Sequence, residues 1–298
     1  MTLRTRFAPA PTGFLHLGHV VNAVYVWGIA RLAGGQVRLR IEDHDRQRSR
    51  AEYERAILDD LDWLGFVPDH PSTDAFRSGP CKGRQSDRGD VYRQALDDLR
   101  SRGLVYACEC SRRALGDADG SGGERRYPGT CAGKGLPERP GLGLRARLQP
   151  SLERFVDLAR GPQEQHPASQ CGDVLLRDRD GNWTYQFAAA VDDFADGITL
   201  VIRGDDLLPS TGRQIQLARL LGRTEPPRFL HHPLVMKTPT QKLSKSDGDT
   251  GVRELRARGS TASDVIGQAA GLAGLLETPR RVPASRVAEL LAGRVGLP

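Results

Sequence analysis

Pro9-Ala-Pro-Thr-Gly-Phe-Leu-His-Leu-Gly-His19 follows a short run, Thr5-Arg6-Phe7-Ala8, and opens Val20-Val-Asn-Ala-Val-Tyr-Val-Trp-Gly-Ile-Ala30. The first run reads as a buried strand and the last as a helix, with a Pro/Gly turn between them. A helix start presents unpaired N–H groups and a partial positive charge, which suits an anion. Gly18 carries no side chain where a flat base or a phosphate could approach. His16 and His19 offer ring N–H groups to phosphate oxygens on which charge builds up. Taken alone, the stretch is equally a turn that opens a helix, with two histidines that carry no duty.

Outward from this turn, Gly34-Gly35 reverses the chain. Gln36 to Asp43 alternates apolar and polar side chains and reads as a strand ending in the acids Glu42, Asp43 and Asp45. Ser49 to Leu64 has helical spacing, with Ile57, Leu58, Leu61 and Leu64 on one side and Gly65 as its stop. Strand–helix–strand–helix order predicts a parallel α/β sheet. Ligands of such sheets bind beyond the carboxyl ends of the strands. The Pro9–His19 turn and the Glu42 cluster should therefore face one crevice.

Further along, Gln85–Arg102 reads as a helix and Leu104–Cys110 as a strand running into cysteines. Leu144–Leu148 alternates as a strand. Val174–Arg177 and Trp183–Tyr185 read as a hairpin about the turn Arg179-Asp-Gly-Asn182. Thr199–Arg203 is an apolar strand that ends on an arginine. Ser210 reads as the cap of a helix running to Leu221. Phe229–Met236 is extended, the loop Lys237–Asp249 follows, and the chain from Arg253 is alanine-rich and helical.

Hydrophobic content of 38% and charged content of 27% are ordinary for a globular protein. The net charge of +6 permits a polyanionic partner without requiring one. No apolar run is long enough for a membrane span, and the N-terminal residues lack the apolar stretch of a secretion signal. The cytoplasm is the expected location, and five cysteines there do not form a disulfide framework. Cys108, Cys110 and Cys131 nevertheless sit close together. With Tyr127 they offer three thiolates and a phenolate to a zinc ion, although C-x-C is not the usual ligand spacing. Core cysteines are the other reading.

Lysine is scarce: Lys82, Lys134, Lys237, Lys242 and Lys245 are the whole set, and two of them fall in Lys242-Leu-Ser-Lys-Ser246. A lysine is a point charge on a long stem, able to follow a phosphate through a transition state. An isolated loop of this composition is equally a solvated basic loop.

Together, the Pro9–His19 stretch and Lys242–Ser246 resemble the two signatures of class I aminoacyl-tRNA synthetases. Arg6-Phe-Ala-Pro-Ala-Pro-Thr-Gly13, Arg40-Ile-Glu-Asp43, Tyr185-Gln-Phe-Ala-Ala-Ala-Val-Asp-Asp193 and Val201-Ile-Arg-Gly-Asp-Asp206 are similar to the glutamyl/glutaminyl branch. The resemblance implies a Rossmann-like catalytic domain that joins an amino acid to ATP as an aminoacyl-adenylate and passes it to tRNA. It implies His16, Gly18, His19 and Lys245 as ATP-binding residues. It further implies His16, His19, Lys242 and Lys245 as the catalytic set and Mg²⁺ accompanying the ATP. For glutamate it implies Arg6, Phe7, Ala8, Pro9, Ala10, Glu42, Tyr185 and Arg203. The two arginines serve the carboxylates, Glu42 the ammonium and Tyr185 a hydroxyl contact. Which arginine takes which carboxylate stays open.

The pattern C-x-C…Y-x₃-C resembles the structural zinc site of the glutamyl-Q tRNA(Asp) synthetases, in an insertion that approaches tRNA. In that group glutamate is placed on queuosine at the wobble position of tRNA(Asp). The residues after Ser246 are too few for the anticodon-binding region of a glutamyl-tRNA synthetase, so no such domain is expected. The expected organisation is residues 1–104 and 173–250 as halves of the catalytic domain, 105–172 as the zinc-containing insertion, and 251–298 as a short helical region. A monomer is expected. Two other readings are a truncated or split glutamyl-tRNA synthetase that charges tRNA 3′ ends with a partner, and a non-catalytic paralogue that binds the glutamyl-adenylate or tRNA.

Overall fold

The computed structural model describes residues 2–111, 126–235 and 251–296. The Lys242–Ser246 loop, with Lys242 and Lys245, lies outside the described residues. Two parallel strands, β1 (Arg4–Phe7) and β2 (Gln36–Leu39), are joined through α1 (Leu17–Leu32). The ladder runs past the named strands, because Arg40 donates its N–H to the Phe7 carbonyl and Glu42 donates to that of Pro9. Helix α1 is apolar on nearly every side, and buries residues from Leu17 to Ala30 around its whole circumference. Such a helix belongs in the interior.

Helix α2 (Ala51–Leu64) shows the expected amphipathic face, and Gly65 closes it in the left-handed conformation at φ 80°. After α3 (Thr73–Arg77), the expected helix from Gln85 begins with a 3-10 turn over Gln85–Arg88. It continues as α4 (Gly89–Ser101). Strands β3 (Val105–Cys108), β4 (Gly143–Ala146) and β7 (Val174–Arg177) form an antiparallel sheet. Its core is shared with α4 and with α6 (Tyr185–Ala195).

Between β4 and β7 lies a hairpin that the apolar pattern does not signal, β5 (Glu153–Asp157) with β6 (Gly161–Gln165). The short helix α5 (Pro167–Gln170) follows it. Strand β5 joins β9 (Arg228–His232), which is parallel to β8 (Leu200–Gly204). The 105–172 segment is thus divided between two sheets. At the other edge, Thr199 donates its N–H to the Arg4 carbonyl, and Arg4 returns one to the Thr199 hydroxyl. Strand β1 therefore has β2 on one side and β8 on the other, and the carboxyl ends of these strands open on a shared crevice.

Both faces of β8 are covered. Leu200 and Ile202 join the main core, whereas Val201 packs with Phe155, Ile215 and Phe229. That is why the strand reads as an unbroken apolar run.

Two expectations are corrected. Trp183 makes only an isolated bridge to Arg177, and Tyr185 is the first residue of α6 rather than part of a hairpin strand. Ser210 makes no side-chain cap for α7 (Thr211–Leu220). Its hydroxyl instead accepts from Gln186.

The chain after residue 250 forms α8 (Val252–Ala257), α9 (Ala262–Leu272) and a 3-10 turn over Ala284–Leu290. Val265, Ile266, Ala269, Val287 and Leu291 belong to the same core as α1. No helix among the described residues is long and apolar enough to cross a membrane.

Gly267 in α9 shows how tightly this segment docks. A Cβ added there would stand 1.8 Å from the Arg280 carbonyl oxygen. The obstacle is backbone and cannot swing aside, so Gly267→Ala should lower unfolding stability by about 1–3 kcal/mol. Urea denaturation with an unchanged m-value is the check.

Candidate active site

A cavity of about 470 Å³ lies at the carboxyl ends of β1, β2, β8 and β9. Arg6, Phe7, Ala8 and Pro9 line it from β1, His16, Gly18 and His19 from the start of α1, and Glu42 from beyond β2. Tyr185 from the start of α6 and Arg203 from the end of β8 complete the polar lining. Ala10 does not line it; its carbonyl accepts the Thr12 N–H.

The two histidines build the start of α1. His16 is the N-cap residue, and its Nδ1 accepts the Gly18 N–H at 3.1 Å. The His19 Nδ1 accepts the His16 N–H, also at 3.1 Å. Both Nδ1 atoms are acceptors, so each neutral ring carries its proton on Nε2. The ring centroids are 4.0 Å apart. Gly18 has a sharper reason than open space. A Cβ there would meet the His16 ring at 2.9 Å. The glycine admits the capping imidazole.

Beneath the cavity lies a buried charge network. Asp193 of α6 receives Arg6 Nε at 3.1 Å and Arg40 Nη1 at 2.6 Å. Arg40 also donates through Nη2 to Glu42 at 3.0 Å. Arg6 completes its contacts through Nη1 to the Ile202 carbonyl. Burial works against the Asp193 charge, yet Arg6 and Arg40 outweigh it and bring the carboxyl down to about 2. Beside it, burial pushes Asp192 up to about 6 despite Arg40 and Arg88.

Arg203 is handled differently. Its Nε donates to His231 Nε2 at 3.0 Å, Nη1 to Gln214 Oε1 at 2.6 Å, and Nη2 to the Thr211 hydroxyl at 2.8 Å. All three acceptors are neutral. Among the described residues the hydrogen bonds of this guanidinium, which is only 4% exposed, go to no carboxylate. Burial holds its pKa below the ordinary arginine value. A buried cation without a contacting anion is costly, and an incoming carboxylate removes the cost.

Asn22, Leu207, His232 and Leu234 also line the cavity, unassigned in the sequence, as do Gly204 and Asp206 of the Val201–Asp206 motif, to which no role was attached. Asn22 is one turn beyond His19 and a lone amide in an apolar helix, a signal that was legible. Its Nδ2 donates to His232 Nε2 at 3.0 Å, and the His232 ring stacks on Tyr25.

The cysteines converge away from this cavity. The sulfurs of Cys108, Cys110 and Cys131 all lie within 4.8 Å of one another. The Tyr127 hydroxyl lies 3.6 Å from Cys108 Sγ and accepts the Cys131 N–H at 2.8 Å. Burial and the neighbouring sulfurs push the Cys110 thiol up to about 11. A cation among the sulfurs would reverse that preference, so the donor set fits a soft metal ion.

Arg40 tests the charge network. Arg40→Met leaves Glu42 without its arginine and Asp193 with Arg6 alone, which should lower stability by about 3–5 kcal/mol. Breaking the exposed Arg48–Asp45 pair should leave the unfolding midpoint nearly unchanged. Equal effects of the two substitutions in urea denaturation would contradict the assignment.

Residues 2–265 match the family described as tRNA synthetases class I (E and Q), catalytic domain. A glutamyl-Q tRNA(Asp) synthetase of Bordetella bronchiseptica is 46% identical over 82% of this chain and 75% of its own length. One of Rhodobacter capsulatus is 39% identical over 88% of this chain and 97% of its own. A glutamate–tRNA ligase of Frankia casuarinae is 38% identical over 86% of this chain but 53% of its own. Among solved structures, a glutamate–tRNA synthetase of Elizabethkingia anophelis superposes with a TM-score of 0.78 at 28% identity. The match covers 97% of this chain and 65% of that one, so this chain spans less than two thirds of that structure's length. With the crevice at the strand ends, the histidine-capped helix and these matches, the chain belongs to the class I tRNA synthetases of the E and Q branch, in the group of the glutamyl-Q tRNA(Asp) synthetases.

Proposed function

We propose that this enzyme activates L-glutamate with ATP, without tRNA, and transfers the glutamyl group to queuosine at the wobble position of tRNA(Asp). The observation that carries the amino-acid part is Arg203, a buried cation that faces the cavity with no carboxylate in contact. Arg6 and Arg203 serve the two carboxylates of glutamate, Glu42 its ammonium group and Tyr185 a hydroxyl contact. A neutral glutamine amide would leave an arginine fork unsatisfied, which favours glutamate.

In the first step a carboxylate oxygen of glutamate attacks the α-phosphorus of ATP. A new P–O bond forms and pyrophosphate leaves. No side-chain nucleophile is needed, so the protein contributes position and charge. His16 and His19 aim Nε2–H groups at phosphate oxygens. Lys245, with Lys242 in support, neutralises the departing pyrophosphate, and Mg²⁺ travels with the ATP phosphates. Cys108, Cys110, Cys131 and Tyr127 hold a structural zinc ion. The enzyme works as a monomer in the cytoplasm. The acceptor assignment is supported by the relatives that share most of their own length with this chain.

Parallel incubations with labelled glutamate, ATP and either queuosine-containing tRNA(Asp) or tRNA(Glu), followed by mapping of the label, test the proposal. Label on the anticodon base supports it. Label only on the 3′ end of tRNA(Glu) would establish the ligase reading instead. Lys245→Ala should slow glutamate-dependent ATP–pyrophosphate exchange by about a hundredfold or more while the KM for glutamate moves little. Elemental analysis should find about one zinc per chain, and Cys131→Ser should reduce it.

A further inference from the structure

Asp157 and His231 stand behind Arg203, out of reach of the cavity, and both are fully buried. Asp157 ends β5 opposite Phe229 of β9, and its carboxylate is saturated. Oδ1 accepts the N–H groups of Ala159 and Arg160, both at 2.9 Å. Oδ2 accepts the His231 N–H at 3.1 Å and approaches His231 Nδ1 at 2.6 Å. An arginine can only donate, so His231 Nε2 must accept from Arg203 Nε. The carboxylate can only accept, so the proton sits on Nδ1. The two partners thus determine one neutral tautomer between them, and the negative charge of Asp157 reaches Arg203 across the imidazole.

We propose that Asp157 and His231 are positioning residues that orient Arg203 to receive a carboxylate of the substrate. This rests on the reading of Arg203 as a glutamate contact. The design keeps the counter-charge one ring away. A carboxylate bound directly to the guanidinium would compete with the substrate, and none at all would leave the cation uncompensated. Thr211 and Gln214 of α7 fix the other two nitrogens, so the guanidinium is held on three sides and presented as a preformed receptor.

The charged and titratable groups facing His231 are Asp157 on β5, Arg203 on β8, Asp205 just beyond it and His232 on its own strand; the Phe229 ring stacks on it. A second proton on His231 would turn a donor toward Arg203 and set two cations against each other. Burial holds the imidazole below its ordinary pKa, with Asp157 pulling the other way. Capture of glutamate should therefore fail at acid pH below the ordinary imidazole range, and the neutral ring should persist above it.

The test is ATP–pyrophosphate exchange on the full chain from pH 5 to 8, with glutamate and ATP varied separately. His231→Ala and Asp157→Asn should raise the KM for glutamate by about ten- to hundredfold and leave that for ATP within about twofold. His231→Gln offers one amide oxygen to Arg203 and one N–H to Asp157. It should restore the KM to within about threefold and abolish the acid limb in kcat/KM for glutamate. Losses shared equally between the two substrates, or an acid limb unchanged in His231→Gln, would overturn the proposal and reduce the pair to a fold element. If His231→Ala fails to fold, the His231→Gln profile still decides. No glutamate-dependent exchange in the unaltered protein would overturn the proposed function itself, and this inference with it.

Discussion

The site depends on a single carboxylate shared by two arginines. Asp193, on α6, is the meeting point of Arg6 from β1 and Arg40 from the continuation of β2. Through Arg40 it also sets the position of Glu42. Three elements distant in sequence are thereby held in register at the crevice floor. The arrangement is costly unless complete, because each member left alone is a buried, unpaired charge. The same completeness makes it rigid, and a rigid floor is what a site working by position requires.

Arg6 and Arg203 illustrate how burial divides labour between similar side chains. Arg6 is neutralised in place by Asp193, so it contributes shape and directed N–H groups more than net charge. Arg203 meets only neutral acceptors, and its electrostatic demand points into the cavity. Similarly, His16 and His19 spend their Nδ1 atoms on the helix start and keep their protons on the far side of the ring. In each case a local structural duty selects the functional state.

Much of this was legible in the sequence where polarity broke an apolar pattern at a strand end. Glu42 and Arg203 sit where strands run out, and the crevice rule for parallel sheets brings those ends together, whereas Arg6, inside the first strand, was legible only through the family resemblance. Cys108, Cys110, Tyr127 and Cys131 flank one insertion and do meet. The β5–β6 hairpin was not legible, because its inward positions include Glu153 and Asp157 while Val156 is 52% exposed. Hydrophobic alternation is lost there, since of the adjacent apolar residues Phe155 and Val156 only Phe155 faces inward. That hidden strand carries Asp157, so the support of Arg203 was hidden with it. Tyr185 was misread as strand because aromatic and β-branched neighbours favour extended chain, whereas tertiary packing made it the start of α6. The helical text after Arg253 was visible, but its docking was not. Gly267 looks like a helix break and is instead a point of backbone contact.

The return of the chain at Gly251 bears on the start of α1. Val235 lines the cavity, Gly251 bridges to His16, and Val252 donates its N–H to the Leu15 carbonyl. Gly251 and Val252 thus tie the C-terminal helices to the two residues that precede α1, so a change in the packing of α8 is transmitted to the helix start that His16 caps.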